Sequence, residues 1–227
     1  VQIVQEDAPK REAFANAMLD CIAEDETFLS RVLFTDEATF HVSGKVNRHN
    51  VRRGTENPHA FREHVRDSPK VNVWCGLLQN QIIGPFFFQE DTVTGNNYLD
   101  MLENFAVPQI AALQPTIIFQ QDGAPPHWSL LVRQFLNDTF PDRWIGRGCP
   151  IPWPPRSHDI TPLDFLLWGY VKDRVYATRV NDVLDLKQRI RDVLNSVTED
   201  MLLNTWREID YRLDILRATR GAHVQVH

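Results

Sequence analysis

Three aspartates stand at the ends of short elements, where side chains are available for chemistry. Asp122 closes the apolar run "TIIFQQD" (116–122) and is followed by Gly123-Ala124-Pro125-Pro126 and a His127-Trp128 pair. Asp36 ends the alternating stretch "RVLFTD" (31–36), and Asp164 falls in the first turn of a helix entered through the proline-rich "CPIPWPPRSHDITP" (149–162). If the strands carrying Asp36 and Asp122 are parallel neighbours, the two acids lie side by side at one edge of a sheet. A helix starting beside that edge then brings Asp164 to face them. Short oxygen-bearing side chains suit Mg²⁺ or Mn²⁺, and two such ions can activate an attacking oxygen and stabilise the leaving oxygen of a phosphodiester. Without a cation, three neighbouring carboxylates would repel one another.

Taken singly, each residue has a plainer reading. Asp164 can be a helix N-terminal acid facing the macrodipole. Asp122 before Gly-Ala-Pro-Pro can be a turn former, and Asp36-Glu37 can be two solvated acids on an edge strand. His127 can be a packed or capping histidine. What argues for chemistry is the order of the three acids, each at an element boundary.

The elements that must hold them follow from periodicity. Phe14, Met18 and Ile22 mark one face of an N-terminal helix over 11–25. Residues 31–42 alternate at strand period, with a second strand expected from Ala38. Strands are expected at 71–78 and 84–90, and a helix over 96–113 that Pro108 kinks or ends. The β-branched run 116–122 reads as a central strand, 127–140 as a helix and 144–148 as a weak last strand. A helix from Leu163 to Val175 takes Thr161 as its N-cap and Pro162 in its first turn. Two C-terminal helices carry core stripes, one at Leu186, Ile190, Val193 and Leu194, the other at Leu202, Trp206, Ile209, Leu213 and Leu216.

Composition bounds the rest. At 227 residues and 43% hydrophobic, the chain can bury one sizeable core. Its net charge of −6 argues against nucleic-acid binding by the bulk surface but leaves room for a local basic groove. One such stretch is residues 43–70, where Lys45, Arg48, Arg52 and Arg53 are dense enough to contact phosphates, or to form an ordinary solvated loop. Cys21, Cys75 and Cys149 are far apart and form no C-x-x-C pair, so neither a disulfide framework nor a zinc knuckle is expected, and a reducing intracellular compartment fits. No apolar run reaches membrane-spanning length and no signal-peptide pattern is seen. Opening on Val1 rather than Met, the sequence is expected to be a fragment or processed piece.

In order along the chain, "LFTDEATF", "QQDGAPPHW" and "WPPRSHDITPLDFLLWGYVKD" resemble the catalytic domain of the mariner-type superfamily of cut-and-paste transposases. The resemblance runs from about residue 11 to about residue 221. It implies an α/β, RNase H-like fold: a mixed five-stranded sheet with helices on both faces, an N-terminal helix and a C-terminal helical segment. The implied segments are 1–30, a helix and linker from an upstream DNA-binding domain; 31–178, the catalytic domain; and 179–227, helices packed on it. Asp36, Asp122 and Asp164 would be the catalytic acids and the ligands of Mg²⁺ or Mn²⁺, with His127 and Glu37 in support. Lys45, Arg48, Arg52 and Arg53 would touch DNA. The implied partners are transposon-end and target DNA and a second copy of the chain in the DNA complex, with action in the nucleus. The implied chemistry is metal-dependent strand cleavage at transposon ends and transfer of the freed 3′-hydroxyl into target DNA.

Two other functions share the fold: a catalytically silent DNA-binding or protein-interaction descendant, and a structure-selective nuclease. The chain also departs from the family pattern. Residues 123–163, 41 in number, separate Asp122 from Asp164, longer than the commonest family spacings. His158 stands where a proline usually precedes the aspartate of "SHDITPLD", which is expected to loosen the loop by freeing a backbone dihedral. Asp159 competes with Asp164 for the third position, which the family pattern gives to Asp164. The paired helix-turn-helix domain that the resemblance implies is not within this sequence.

Overall fold

A computed structural model describes residues 4–44 and 68–225. Its centre is a five-stranded sheet in the order β3-β2-β1-β4-β5. The strands are β1 (Val32–His41), β2 (Lys70–Leu77), β3 (Ile82–Phe87), β4 (Ile118–Gln120) and β5 (Trp144–Ile145). The first three form an antiparallel meander, whereas β4 and β5 run parallel to β1. The sheet is therefore mixed, as the resemblance implies.

Alternation along β1 sends its side chains to opposite faces. Phe34, Ala38 and Phe40 enter one apolar cluster and Leu33 the other. The first cluster holds buried residues of α1 (Ala8–Glu24), α5 (Trp168–Val175), α6 (Val183–Asn195) and α7 (Glu199–Ala218). The second holds those of α2 (Gly95–Met101), α3 (Val107–Ile110) and α4 (Leu130–Thr139). Helices thus cover both faces, and α1 packs directly against α7. None is long and apolar enough to cross a membrane.

Several elements differ from expectation, β3 and β4 in their bounds and others in kind. Residues 32–41 form one continuous strand rather than two, because β2 pairs with β1 without a break from Phe34 to His41. Asp36 consequently sits mid-strand. Pro108 does not end its helix. A wide turn over Leu102–Ala106 precedes it, in which the Val107 N–H reaches Leu102 O five residues back, and another helical turn follows. Such a widened turn shifts the bonding register before a residue that has no N–H to donate. The helix expected over 127–140 begins at Leu130, because Ser129 is extended and its hydroxyl accepts the Val132 N–H as an N-cap. Before it comes a separate tight turn, Pro126–Trp128. The weak last strand is only two residues long.

The site lies where the parallel pairing runs out. β4 pairs with β1 at Val32, Leu33 and Phe34 and then stops. Gln120 extends the junction by side chain: its Oε1 accepts the Thr35 N–H at 3.1 Å, while the Thr35 hydroxyl donates to Gln120 O at 2.7 Å. Beyond this stitch β1 continues beside β2 alone, and Asp36 lies on the opened side.

Candidate active site

Asp122 is two residues past the end of β4, and its neighbours hold it in place. Its Oδ1 accepts the Ala124 N–H at 2.9 Å and lies 2.6 Å from Nδ1 of His127. The turn-forming reading and the chemical reading of this residue therefore both apply: the Asx turn sets the direction in which the carboxylate is presented. His127 is 3% exposed and sits in the tight turn Pro126–Trp128. Its Nε2 is 3.3 Å from Oε2 of Glu37, and its ring lies on Tyr98 with centroids 4.2 Å apart. The carbonyl of His127 accepts a 3.1 Å bond from Gln121 Nε2.

Glu37 follows Asp36 on the strand and so points to the opposite face. His127 thereby links an acid of the cavity to an acid from the far side of β1. Burial alone would push the imidazole toward neutrality, but the charges and hydrogen bonds of Glu37 and Asp122 outweigh it and raise its pKa to about 10. The reverse holds for Asp122. Burial would raise it, yet the His127 hydrogen bond and charge and the Ala124 N–H hold it below its usual value.

Asp36 accepts a 2.8 Å hydrogen bond from the Trp168 indole at Oδ2. Burial pushes its pKa well above the usual carboxylate value, and the negative charges of Asp164, Glu37 and Asp122 push the same way, against the Trp168 bond. Asp164 sits in a wide helical turn, Leu163–Leu167, that leads into α5. Its Oδ2 is 2.9 Å from Nδ1 of His158, a bond that raises the His158 pKa against partial burial. Rather than only freeing a dihedral, His158 adds a side-chain tether from the loop to the acid. Thr161 caps by main chain alone: its carbonyl accepts the N–H groups of Asp164 and Phe165, while its hydroxyl donates to Ser157 O at 3.1 Å. Asp159 is engaged elsewhere, in a buried bidentate pair with Arg11.

Asp36, Asp122 and Asp164 line one cavity of about 630 Å³, walled by Trp153, Pro154 and Pro155, with Lys10 and Arg147 also lining it. Among the described residues, no three His, Cys, Asp or Glu side chains are grouped closely enough to hold an ion. Each acid instead turns one oxygen to its own donor: Trp168, His127 or His158. Mutual repulsion of neighbouring carboxylates accounts for this arrangement. No described residue bonds Asp36 Oδ1, Asp122 Oδ2 or Asp164 Oδ1. Short carboxylates, each tethered through one oxygen with the other unengaged, fit a hard divalent cation such as Mg²⁺ or Mn²⁺.

Of the three tethers, the resemblance points to His127 as a supporting residue, whereas the bonds from Trp168 and His158 are not anticipated. Trp168 lies four residues after Asp164, one helical turn on, and that spacing is its only signal. Lys45, Arg48, Arg52 and Arg53 lie outside the described residues.

The sheet order and the helices on both faces define an RNase H-like α/β fold. Neither a protein-family model nor a curated protein matches the sequence. Solved structures do. The catalytic domain of Mos1 mariner transposase superposes with a TM-score of 0.76 at 18% identity, covering 99% of this chain and 98% of that one. The same domain with raltegravir and Mg gives 0.77 at 18% identity, with 99% and 100% covered. The Mos1 paired-end complex with left transposon end gives 0.78 at 19% identity. There this chain is covered to 99% and spans 65% of its counterpart. The resemblance carried by the three motifs thus holds at the level of the fold.

Proposed function

We propose that this chain is the catalytic part of a cut-and-paste DNA transposase. In this reading it cleaves phosphodiester bonds at transposon ends and joins the freed 3′-hydroxyl to target DNA, as one of two copies in the DNA complex, in the nucleus. The observation that carries it is the cavity lined by Asp36, Asp122 and Asp164, each with one oxygen tethered and one unengaged. The Mos1 structures of the same fold support the reading: they include complexes with a transposon end, a strand transfer complex and the catalytic domain with Mg or Mn.

Asp36, Asp122 and Asp164 would hold one or two Mg²⁺ or Mn²⁺ ions. When bound, these ions supply charge stabilisation at the phosphorus centre and lower the pKa of an attacking oxygen. The chain's own residues set up the site. His127 carries positive charge, keeps Asp122 ionised and fixes its direction through Glu37 behind it. Trp168 and His158 hold one oxygen each of Asp36 and Asp164. The proline-rich wall and Trp153 shape a groove for a strand, and Lys10 and Arg147 offer cationic groups to its phosphates.

Calorimetric titration with Mn²⁺ tests the site, using the wild type and Asp122→Asn. Wild type should bind and the variant should lose most of its affinity. A second arm follows nicking of DNA in Mg²⁺ or Mn²⁺ and in Ca²⁺, whose looser coordination does not enforce octahedral geometry. Equal Mn²⁺ binding by both proteins removes Asp122 from the site. With an end-binding domain and its cognate ends supplied, equal inertness of wild type and Asp36→Ala gives the fold to a silent descendant.

A further inference from the structure

Beside the acid cavity, two arginines share one tryptophan. The Arg133 guanidinium, from α4, lies 4.1 Å from the Trp128 ring centroid, and that of Arg147, just past β5, lies 4.5 Å from it. Both line a second, smaller pocket of about 130 Å³, together with Asn137, Asp142 and Gly148. Among the described residues neither arginine forms an ion pair, and Arg133 Nε is buried with no hydrogen-bond partner. Asp142 lines the pocket without bonding either of them.

Two guanidinium groups held against one ring repel each other, and the buried Nε of half-buried Arg133 has no hydrogen-bond partner to offset its desolvation. Stacking on the indole offsets only part of it. The chain carries a net charge of −6, so an unneutralised cation pair is out of keeping with its surface. Guanidinium forks match phosphate oxygens bidentately, and two of them fit one phosphate or two successive ones.

The position of the pair identifies the kind of anion. Arg147 and Gly148 line both this pocket and the cavity of the three acids. The stem of Arg147 passes about 3.9 Å from where a Cβ on Gly123 would stand, and Gly123 is the residue after Asp122. An anion in the small pocket is therefore directly next door to the acid site.

We infer that Arg133, Trp128 and Arg147 form a clamp for the phosphodiester backbone of DNA, gripping the strand close to the phosphate presented to Asp36, Asp122 and Asp164. This rests on the proposed function for the identity of the strand, but not for the presence of the clamp. The occupant is a phosphate of a nucleic-acid strand rather than a protein carboxylate. Two paired forks beside a site for phosphodiester chemistry fit a polyanion that runs on from one pocket into the other.

The test measures binding of a fluorescently labelled DNA duplex by anisotropy, without divalent metal, at several salt concentrations. Wild type, R147Q and R133Q/R147Q are compared, each also titrated with Mn²⁺. Arg147 is exposed, so R147Q preserves the fold and keeps the proposal falsifiable if the double variant does not. The slope of log K against log salt should fall by about one for R147Q and by up to about two for the double variant. Mn²⁺ affinity should stay unchanged. An unchanged slope with intact Mn²⁺ binding overturns the clamp while leaving the metal reading standing. An unchanged slope accompanied by loss of a dimer on sedimentation overturns it too, and assigns the arginines to contact with a second copy. A wild type that binds Mn²⁺ but no DNA also overturns it.

Discussion

Asp159 receives both arms of Arg11: Nη1 donates to Oδ1 at 2.9 Å and Nη2 to Oδ2 at 2.6 Å. The pair joins the first helix to the loop that delivers Asp164, and both side chains are almost entirely buried. Arg11 also donates from Nε to Gly221 O and from Nη1 to the Ser157 hydroxyl, while the Val224 N–H donates to Asp159 Oδ2. One carboxylate thus binds helix, loop and C-terminus together. An acid committed in this way is not free to ligate a metal, which in the proposed site favours Asp164 for the third position.

Removing one partner leaves the other charge buried and uncompensated. Arg11→Met or Asp159→Asn should therefore cost about 3–5 kcal/mol in urea unfolding. Mn²⁺ affinity of the folded fraction should stay near wild type. The pair also sets a pH dependence. Burial would raise the Asp159 pKa, but the Arg11 hydrogen bonds, the Val224 N–H and the Arg11 charge hold it below its usual value. A carboxylate depressed in the folded state stabilises above its unfolded value of about 3.9 and loses that contribution as pH falls through the folded one. Wild-type stability should drop in acid below about pH 4, and Asp159→Asn should show a shallower drop. Parallel acid curves would count against this role.

Gly221 closes the last turn of α7 at φ +84°, and its N–H bonds Leu216 O at 2.8 Å. A Cβ added here would stand 1.9 Å from the carbonyl oxygen of Ala8, which is backbone and cannot rotate away. Gly221→Ala combines a left-handed conformation with a main-chain clash and should cost more than about 2 kcal/mol. Thermal melts check it. A Tm within a degree or two of wild type would mean that α1 and α7 separate more easily than their packing indicates.

Much of this architecture is legible in the sequence, because period-2 and helical apolar patterns report burial directly. Phe14 and Met18, the stripe of α6 at Leu186, Ile190 and Leu194, and that of α7 all reach the core as their spacing implies. What stays hidden depends on pairing between distant segments. Nothing local in residues 32–41 shows that β2 pairs from Phe34 to His41 while β4 stops at Phe34, yet that mismatch opens the site at Asp36. Asp122 and Asp164 are visible near element ends before a structure exists, whereas Asp36, which reads as a strand end, sits mid-strand. Of their tethers only His127 is anticipated, as a supporting residue; Trp168 is 132 positions from Asp36 and reads in sequence as one more core aromatic. Residue type alone does not separate Asp159 from Asp164 in "SHDITPLD"; the family pattern favours Asp164, and the bond from Arg11, 148 positions away, engages Asp159.

His127 stands between Asp122 and Glu37, and its effect should reach the metal without contact. His127→Leu leaves two acids without their shared cation and frees Asp122 to rotate. Loss of such a supporting partner costs metal affinity about 10–100-fold. His127→Gln, which keeps one polar contact, should recover part of it. The imidazole adds its own pH signature. A histidine raised in the folded state stabilises fully below its unfolded value of about 6.5, and that contribution is lost as pH rises through its folded value of about 10. Wild type should weaken toward alkaline pH more than His127→Gln does. Equal Mn²⁺ affinity in all three proteins would reduce His127 to packing.

His158 provides the sharpest separation between the habit of the family this chain resembles and its own geometry. Restoring the usual proline looks like a repair, but the preceding residue opposes it. Ser157 has ψ 41°, and a residue before proline is driven to ψ of roughly +120 to +160°. Ser157 cannot swing there freely. Its hydroxyl accepts from Arg11 at 2.7 Å, and its carbonyl accepts the Ile160 N–H and the Thr161 hydroxyl, both at 3.1 Å. His158→Pro should therefore destabilise by more than about 1 kcal/mol in urea unfolding, and it also removes the Asp164 tether. His158→Ala loses only a half-exposed contact and should cost about 0–1 kcal/mol. The order of the two variants is the test, because sequence habit ranks proline as the better residue and Ser157 ranks it as the worse. A proline variant more stable than alanine, with Mn²⁺ affinity at or above wild type, would show that the loop re-forms around the family's residue and that the Arg11–Ser157–Asp159 network does not fix it.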